Sequence, residues 1–310
     1  MDGKLRVLVL SLVLLFAGTP PAGAAGIGEV TGFGSNPGNL KMFRYVPDGL
    51  SPGRPVVVAL HGCTQDAAGY GANTGWVQLA QQARFTLVLP QQQTANNISK
   101  CFTWFDAVKT PQEALSLKQM VDRAVADSGA DPARVHVTGL SAGGAMTAAM
   151  LALYPATFKS GAVVAGLPYG CATSQLTAFS CMNPGKNLTP RQWGDKVRAG
   201  GHPGPWPLVS IWHGTADYTV NSANLTELAE QWTDVHGTDA VADTRDTVAG
   251  FPHAVYRNSA GQAVVQTYSI TGMGHGQPVD PGQCGTTAPY IVDVDLCAAG
   301  RTAQDWSLAD

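Results

Sequence analysis

The sequence predicts an α/β protein with a mostly parallel central sheet and helices on both faces. Three observations carry this reading. Short apolar, β-branched runs recur along the chain, amphipathic helical stretches separate them, and no internal repeat or low-complexity linker breaks the alternation. The first run, Pro55–Leu60 (PVVVAL), reads as a buried strand because it is short, β-branched and apolar throughout. Phe85–Pro90 (FTLVLP), Arg134–Gly139 (RVHVTG), Gly161–Gly166 (GAVVAG), Pro207–Gly214 (PLVSIWHG) and Val264–Gly272 (VVQTYSITG) follow in the same style. Between the second and third, Thr110 stands as an N-cap with Pro111 in the first turn and Glu113 three residues on, the spacing of a capping box. Leu117, Met120, Val121, Ala124 and Val125 then share one helical face, and Gly129 ends the helix. A second helix follows Ser141 and runs to Tyr154, stopping before Pro155, and a third covers Ser222–Gly237. Residues 167–205 hold no clear strand and one short helical piece near Trp193. They read as an insertion, either a cap over the functional site or a surface loop.

Residues 1–24 predict a secretory signal peptide. Lys4 and Arg6 give a basic start, Val7–Ala17 is apolar, Pro20-Pro21 breaks a helix, and Ala22–Ala24 offers small residues for cleavage. The apolar run is shorter than the roughly 20 residues a membrane span needs, and no later stretch is apolar enough for one. The expectation is an exported protein, extracellular or periplasmic, with a single catalytic domain over residues 25–310. Charged residues make up only 13% of the chain and the net charge is −3. With no run of Lys or Arg, this argues against a nucleic-acid partner and suits a neutral or apolar substrate.

All six cysteines, Cys63, Cys101, Cys171, Cys181, Cys284 and Cys297, follow the signal segment. An even count in an exported chain predicts disulfides, although six cysteines allow 15 pairings. Closeness favours Cys171 with Cys181 and Cys284 with Cys297, which leaves Cys63 with Cys101. No CxxC pair is present, so no zinc site is expected.

The chemistry begins at His136–Leu151 (HVTGLSAGGAMTAAML), where an apolar strand runs through Gly-Leu-Ser-Ala-Gly into an alanine-rich helix. A serine at such a corner is exposed and strained, and Gly139 and Gly143 flank it because side chains there would clash. The helix N-terminus that follows favours negative charge near Ser141. If Ser141 is a nucleophile, its acid and base should follow later strands in the order Asp, His, as in an α/β-hydrolase. Asp217 lies after LVSIWHG and His275 after TYSITGMG, so His275 is the expected general base and Asp217 the residue that holds its tautomer. His213 precedes the acid and reads as structural. His202, His236 and His253 read as solvated residues of loops or helix ends. An oxyanion hole needs backbone N–H groups, and Ala142 and Cys63, the latter after the turn His61-Gly62, are the expected donors. A Cys63–Cys101 bridge would draw Trp104 and Phe105 toward the cleft as candidate pocket residues.

With these residues in hand, the chain resembles a known family. The segments LHGCTQ, CFTWF, GLSAGGAMTAAMLALYPATF, VVAGLPYGCA, IWHGTADYTV and GMGHGQPVDPG are similar to those of secreted poly(3-hydroxybutyrate) depolymerase-type esterases, α/β-hydrolases grouped with feruloyl and acetyl-xylan esterases. The likeness runs from about Asn39 to Trp306 and includes the closing RTAQDWSL. It implies Ser141 as nucleophile, Asp217 and His275 as its partners, Cys63 in the oxyanion loop, and two-step acyl transfer without a metal or organic cofactor. The substrate expected is a short-chain hydroxyalkanoate polyester or its oligomers. Plant cell-wall esters are the alternative, and a non-catalytic polymer-binding protein on the same scaffold is the second. Many extracellular depolymerases of this type carry a linker and a polymer-binding module after the catalytic domain. The resemblance does not extend to such a segment.

Overall fold

The computed structural model describes residues 26–310, and the predicted signal peptide lies outside them. The chain opens on an antiparallel pair, β1 (Gly28–Val30) and β2 (Lys41–Tyr45), and then enters β3 (Val56–Leu60). Helices α1 (Ala67–Asn73) and α2 (Trp76–Ala83) lead to β4 (Thr86–Gln91). Helix α3 (Lys109–Ser128) crosses to β5 (Val135–Leu140), and α4 (Ala142–Leu153) to β6 (Ser160–Val164). Helices α5 (Gln175–Met182) and α6 (Pro190–Arg198) precede β7 (Leu208–Gly214). After α7 (Ala223–Val235) come β8 (Thr244–Val248), β9 (Phe251–Arg257) and β10 (Ala263–Ile270). A small parallel pair, β11 (Gln277–Val279) and β12 (Ile291–Asp293), and helix α8 (Ala298–Asp305) complete it.

Ten strands form one sheet in the order β1-β2-β4-β3-β5-β6-β7-β10-β9-β8. The six predicted strands are its parallel centre, with antiparallel strands at both edges. Side-chain alternation sorts the core into two layers. Val56, Val58 and Leu60 pack with α3, α4 and α7, through residues such as Leu117, Met146 and Trp232. Val57 and Ala59 pack on the other face with α1, α2 and α8, through Tyr70, Trp76 and Trp306. Burial on both faces explains why these strands are continuously apolar.

The structure corrects three details of the sequence reading. Helix α3 begins two residues earlier than predicted, at Lys109 rather than Pro111, and Thr110 and Glu113 do not form a capping box. Asp106 Oδ1 instead accepts the N–H groups of Val108 and Lys109 at 2.8 and 2.9 Å, and Glu113 turns into the core. Residues 167–205 hold two helices rather than one piece, each with a capping box: Ser174 with Thr177, and Thr189 with Gln192. His253 is neither in a loop nor solvated. It is buried in β9, with Nδ1 2.6 Å from Asp246 Oδ1 and Nε2 3.1 Å from Gln266 Oε1.

Candidate active site

Parallel strands bring their C-terminal ends to one edge of a sheet, where ligands bind in folds of this class. Ser141 follows β5, Asp217 follows β7 and His275 follows β10, all on that edge. Ser141 has φ 58° and ψ −117°, a conformation that L residues avoid and that costs about 1–3 kcal/mol. Its N–H still donates to Val164 O at 2.9 Å, so the ladder runs to the corner and stops there.

The flanking glycines are required by space. A Cβ at Gly139 would lie 2.5 Å from the Gly143 backbone, and one at Gly143 would strike Leu60 O and stand 2.6 Å from His61 O. The serine turn is therefore pressed directly against the loop after β3. Gly143→Ala is expected to lose about 1–3 kcal/mol of stability and at least roughly tenfold in kcat, because backbone cannot yield as a side chain can. Thermal unfolding and soluble-ester kinetics check this. Gly28→Ala, with nothing within 4 Å and an ordinary φ, is the silent control.

The loop after β3 is held by His61, which is fully buried. Its Nε2 accepts the N–H of Gln92 at 3.1 Å, so Nδ1 carries the proton and donates to Gly62 O at 2.7 Å. A trans peptide sets C=O and N–H in opposite directions, so this clasp turns the Cys63 N–H away from the His61 ring. Burial lowers the His61 pKa to about 4, with the Gly62 hydrogen bond acting weakly against it. The unfolded imidazole titrates near 6.5, so stability from the neutral ring is complete above that pH. It is lost as pH falls toward 4. Burial lowers His136 similarly, to about 3. The melting temperature is therefore expected to fall steadily from pH 6.5 to 4, and His136→Asn should flatten the decline.

Cys63 is bonded to Cys101, and Thr64 N–H donates to Ser99 O at 2.6 Å beside it. Cys171 is bonded to Cys181, and Cys284 to Cys297. The first two bridges join one apolar cluster with Ala142, Ala145, Trp104, Leu167 and Val220. Phe105 packs against this cluster, edge-on to Trp104 with ring centroids 5.4 Å apart. Trp104 itself is 8% exposed, which makes it chiefly a packing residue of that cluster. The third bridge lies in the layer of α2 and α8, away from this cluster. Glu113 explains the order of the Trp104 segment: its carboxylate accepts the Thr103 N–H and Gln92 Nε2, each at 2.8 Å. Burial raises the pKa of this carboxyl against those hydrogen bonds.

His275 Nδ1 lies 2.7 Å from Asp217 Oδ2. Asp217 is buried, and its Oδ1 accepts the N–H groups of Thr219 and Val220 at 2.9 Å each. Burial pushes its pKa up, but hydrogen bonds from His213, His275 and Val220 overcome this and hold the carboxyl well below the usual range. No hydrogen bond joins Ser141 Oγ to His275 Nε2. Such contacts commonly tighten only with substrate bound.

His213, which reads as structural from the sequence, lies against Asp217. Its Nε2 lies 2.8 Å from Val220 O and 3.3 Å from Asp217 Oδ2, and its Nδ1 is buried without a partner. Since a carbonyl only accepts, Nε2 carries the proton and is shared between the two oxygens. His213→Leu should keep the fold and lose roughly ten- to a hundredfold in kcat, the worth of one hydrogen bond to a charged group. His213→Gln, which restores a donor, should recover most of it. The one sequence signal is its place four positions before Asp217, which becomes informative once the turn between them is built.

Among the described residues, no cluster of three or more His, Cys, Asp or Glu could hold a metal, and no helix is long and apolar enough to cross a membrane. A strained strand-to-helix serine, a buried Asp hydrogen-bonded to a His and a mostly parallel sheet define the class, an α/β-hydrolase esterase. The sequence pattern described as Esterase PHB depolymerase matches residues 40–250, and the chain belongs to that family. It is 54% identical over 280 residues to poly(3-hydroxyalkanoate) depolymerase C of Paucimonas lemoignei, covering 87% of this chain and 67% of that one. It is 35% identical over 275 residues to acetylxylan esterase of Coprinopsis cinerea, covering 84% and 72%. The solved acetyl xylan esterase from Aspergillus awamori superposes with a TM-score of 0.78 at 25% identity, covering 92% of this chain and all of that one. The chain is a carboxylic ester hydrolase.

Proposed function

We propose that this protein is a secreted serine esterase that hydrolyses short-chain poly(3-hydroxyalkanoate) polyester or its oligomers. The observation that carries the serine mechanism is the φ of 58° at Ser141, between glycines with no room for a side chain. Ser141 Oγ attacks the ester carbonyl while His275 Nε2 takes its proton. Asp217, ionised and hydrogen-bonded to Nδ1, stabilises the imidazolium. The oxyanion is held by the N–H groups of Cys63 and Ala142. His275 then protonates the leaving alcohol, activates a water, and the acyl-enzyme releases its acid.

The polyester reading is supported by the 54% identity to a poly(3-hydroxyalkanoate) depolymerase. Export is supported by the basic, apolar and small-residue pattern of residues 1–24 and by the three disulfides. We read residues 25–310 as one catalytic domain in which 167–205 form a cap, since Cys171, Ala178, Cys181 and Trp193 pack in one cluster with Ala142. The close superposition on an acetyl xylan esterase favours cell-wall esters as the second reading.

The test is a side-by-side assay on a poly(3-hydroxybutyrate) suspension, a soluble 3-hydroxybutyrate oligomer, methyl ferulate and acetylated xylan, with Ser141→Ala as blank. Release of hydroxybutyrate with little ferulate or acetate is the expected result. Ferulate or acetate release without hydroxybutyrate would transfer the function to cell-wall esters.

A further inference from the structure

The loops around the Ser141 edge are unusual in what they expose. Five large apolar side chains rise from them: Ile98, Leu176, Phe179, Tyr218 and Tyr290, from 49% exposed at Tyr290 to 89% at Ile98. Their neighbours tie each of them to the site. Ile98 adjoins Ser99, which bonds Thr64 beside the Cys63–Cys101 bridge. Leu176 and Phe179 lie on α5, which Cys171–Cys181 and the Asn221 N–H to Met182 O bond (2.8 Å) tie to the Asp217 loop. Tyr218 follows Asp217, and its carbonyl accepts from Asn183 Nδ2 at 2.9 Å. Tyr290 stands edge-on to His275 with ring centroids 6.0 Å apart.

These loops are also nearly without charge. Residues 93–105, 171–183, 218–222 and 286–290 contain a single charged residue, Lys100. Surface loops ordinarily carry charge, because charged groups prefer water and resist being covered. A rim that is both apolar and uncharged loses little when pressed against a neutral, dehydrated surface, and gains from each apolar area it covers.

We propose that this rim is a docking surface for solid aliphatic polyester, so that the catalytic domain itself adsorbs to the polymer it cuts. The proposal rests on the polyester reading above. An ester bond in a solid cannot diffuse into a cleft, so the rim must lie on the surface while Ser141 reaches one chain. An aliphatic polyester offers methyl and methylene groups and no formal charge, which matches what the rim presents.

The test uses the full mature protein with Ile98→Ser, Leu176→Ser and Phe179→Ser combined. All three side chains are largely exposed, and none contacts the Ser141, Asp217 or His275 side chains through a hydrogen bond. Adsorption to poly(3-hydroxybutyrate) granules is measured in a Ser141→Ala background, and clearing of the granules and hydrolysis of a soluble chromogenic ester in the active one. The expected result is adsorption weakened roughly tenfold or more with a matching loss of clearing, and soluble-ester kcat/KM unchanged. Adsorption and clearing equal to the parent would overturn the proposal. So would a parallel fall on soluble ester and granules, which would mean the side chains serve the cleft. If the parent hydrolyses the soluble ester but neither binds nor clears granules, the proposal is overturned because the rim has no solid occupant, while the oligomer part of the polyester reading stands or falls by its own assay above.

Discussion

Ser141→Ala is expected to fold like the parent and to lose a factor on the order of 10⁴–10⁶ in kcat. Alanine carries the same Cβ into the same φ of 58°, so backbone strain and stability stay near their parent values. What disappears is the atom proposed to form the acyl-enzyme. Residual turnover comes from the oxyanion donors and binding, which the change leaves in place. Ser141→Gly separates strain from chemistry. It should be equally inactive and more stable by about 1 kcal/mol, since glycine adopts this conformation without a clash. Active-site titration with a serine-directed phosphonate, kcat on a soluble ester and thermal unfolding check all three points. Substantial turnover in Ser141→Ala would place the nucleophile elsewhere.

Asp217→Asn is expected to lower kcat by about 10⁴ with little change in KM. The reason lies in the donors around the carboxylate. Oδ1 accepts two backbone N–H groups, so the amide oxygen of an asparagine would be held there. Its NH₂ would then face His213 Nε2 and His275 Nδ1, where the carboxylate accepted. His275 answers by moving its proton to Nε2, and the nitrogen that should take the serine proton is blocked. Raising the pH should restore little, because the defect is a tautomer rather than a charge. Full recovery at high pH would instead mean that Asp217 acts only through its charge.

Much of this was legible in the sequence because it follows from local rules. Six buried strands announce themselves by continuous apolar runs, and Ser141, Asp217 and His275 each follow one of them. The edge strands did not, since β8 (TRDTV) is mostly exposed and polar and exists only through its partner β9. Glu113 shows the same limit inside a helix. Its spacing from Thr110 fits a cap, but Thr103 and Gln92, 10 and 21 residues away in sequence, offered its carboxylate better partners. His213 reads only as structural in the sequence, because its position relative to Asp217 becomes informative once β7 and its turn are built. The role of His61 in turning one peptide was likewise invisible, since it depends on Gln92 just past the end of the neighbouring strand.

The separation of the rim from the sheet has a consequence for specificity. The residues proposed for bond cleavage are anchored by the parallel strands, whereas α5 and its neighbouring loops are tethered by a short disulfide loop and a few backbone contacts. Changes in those loops can therefore alter the kind of ester met without disturbing the strands that anchor Ser141, Asp217 and His275.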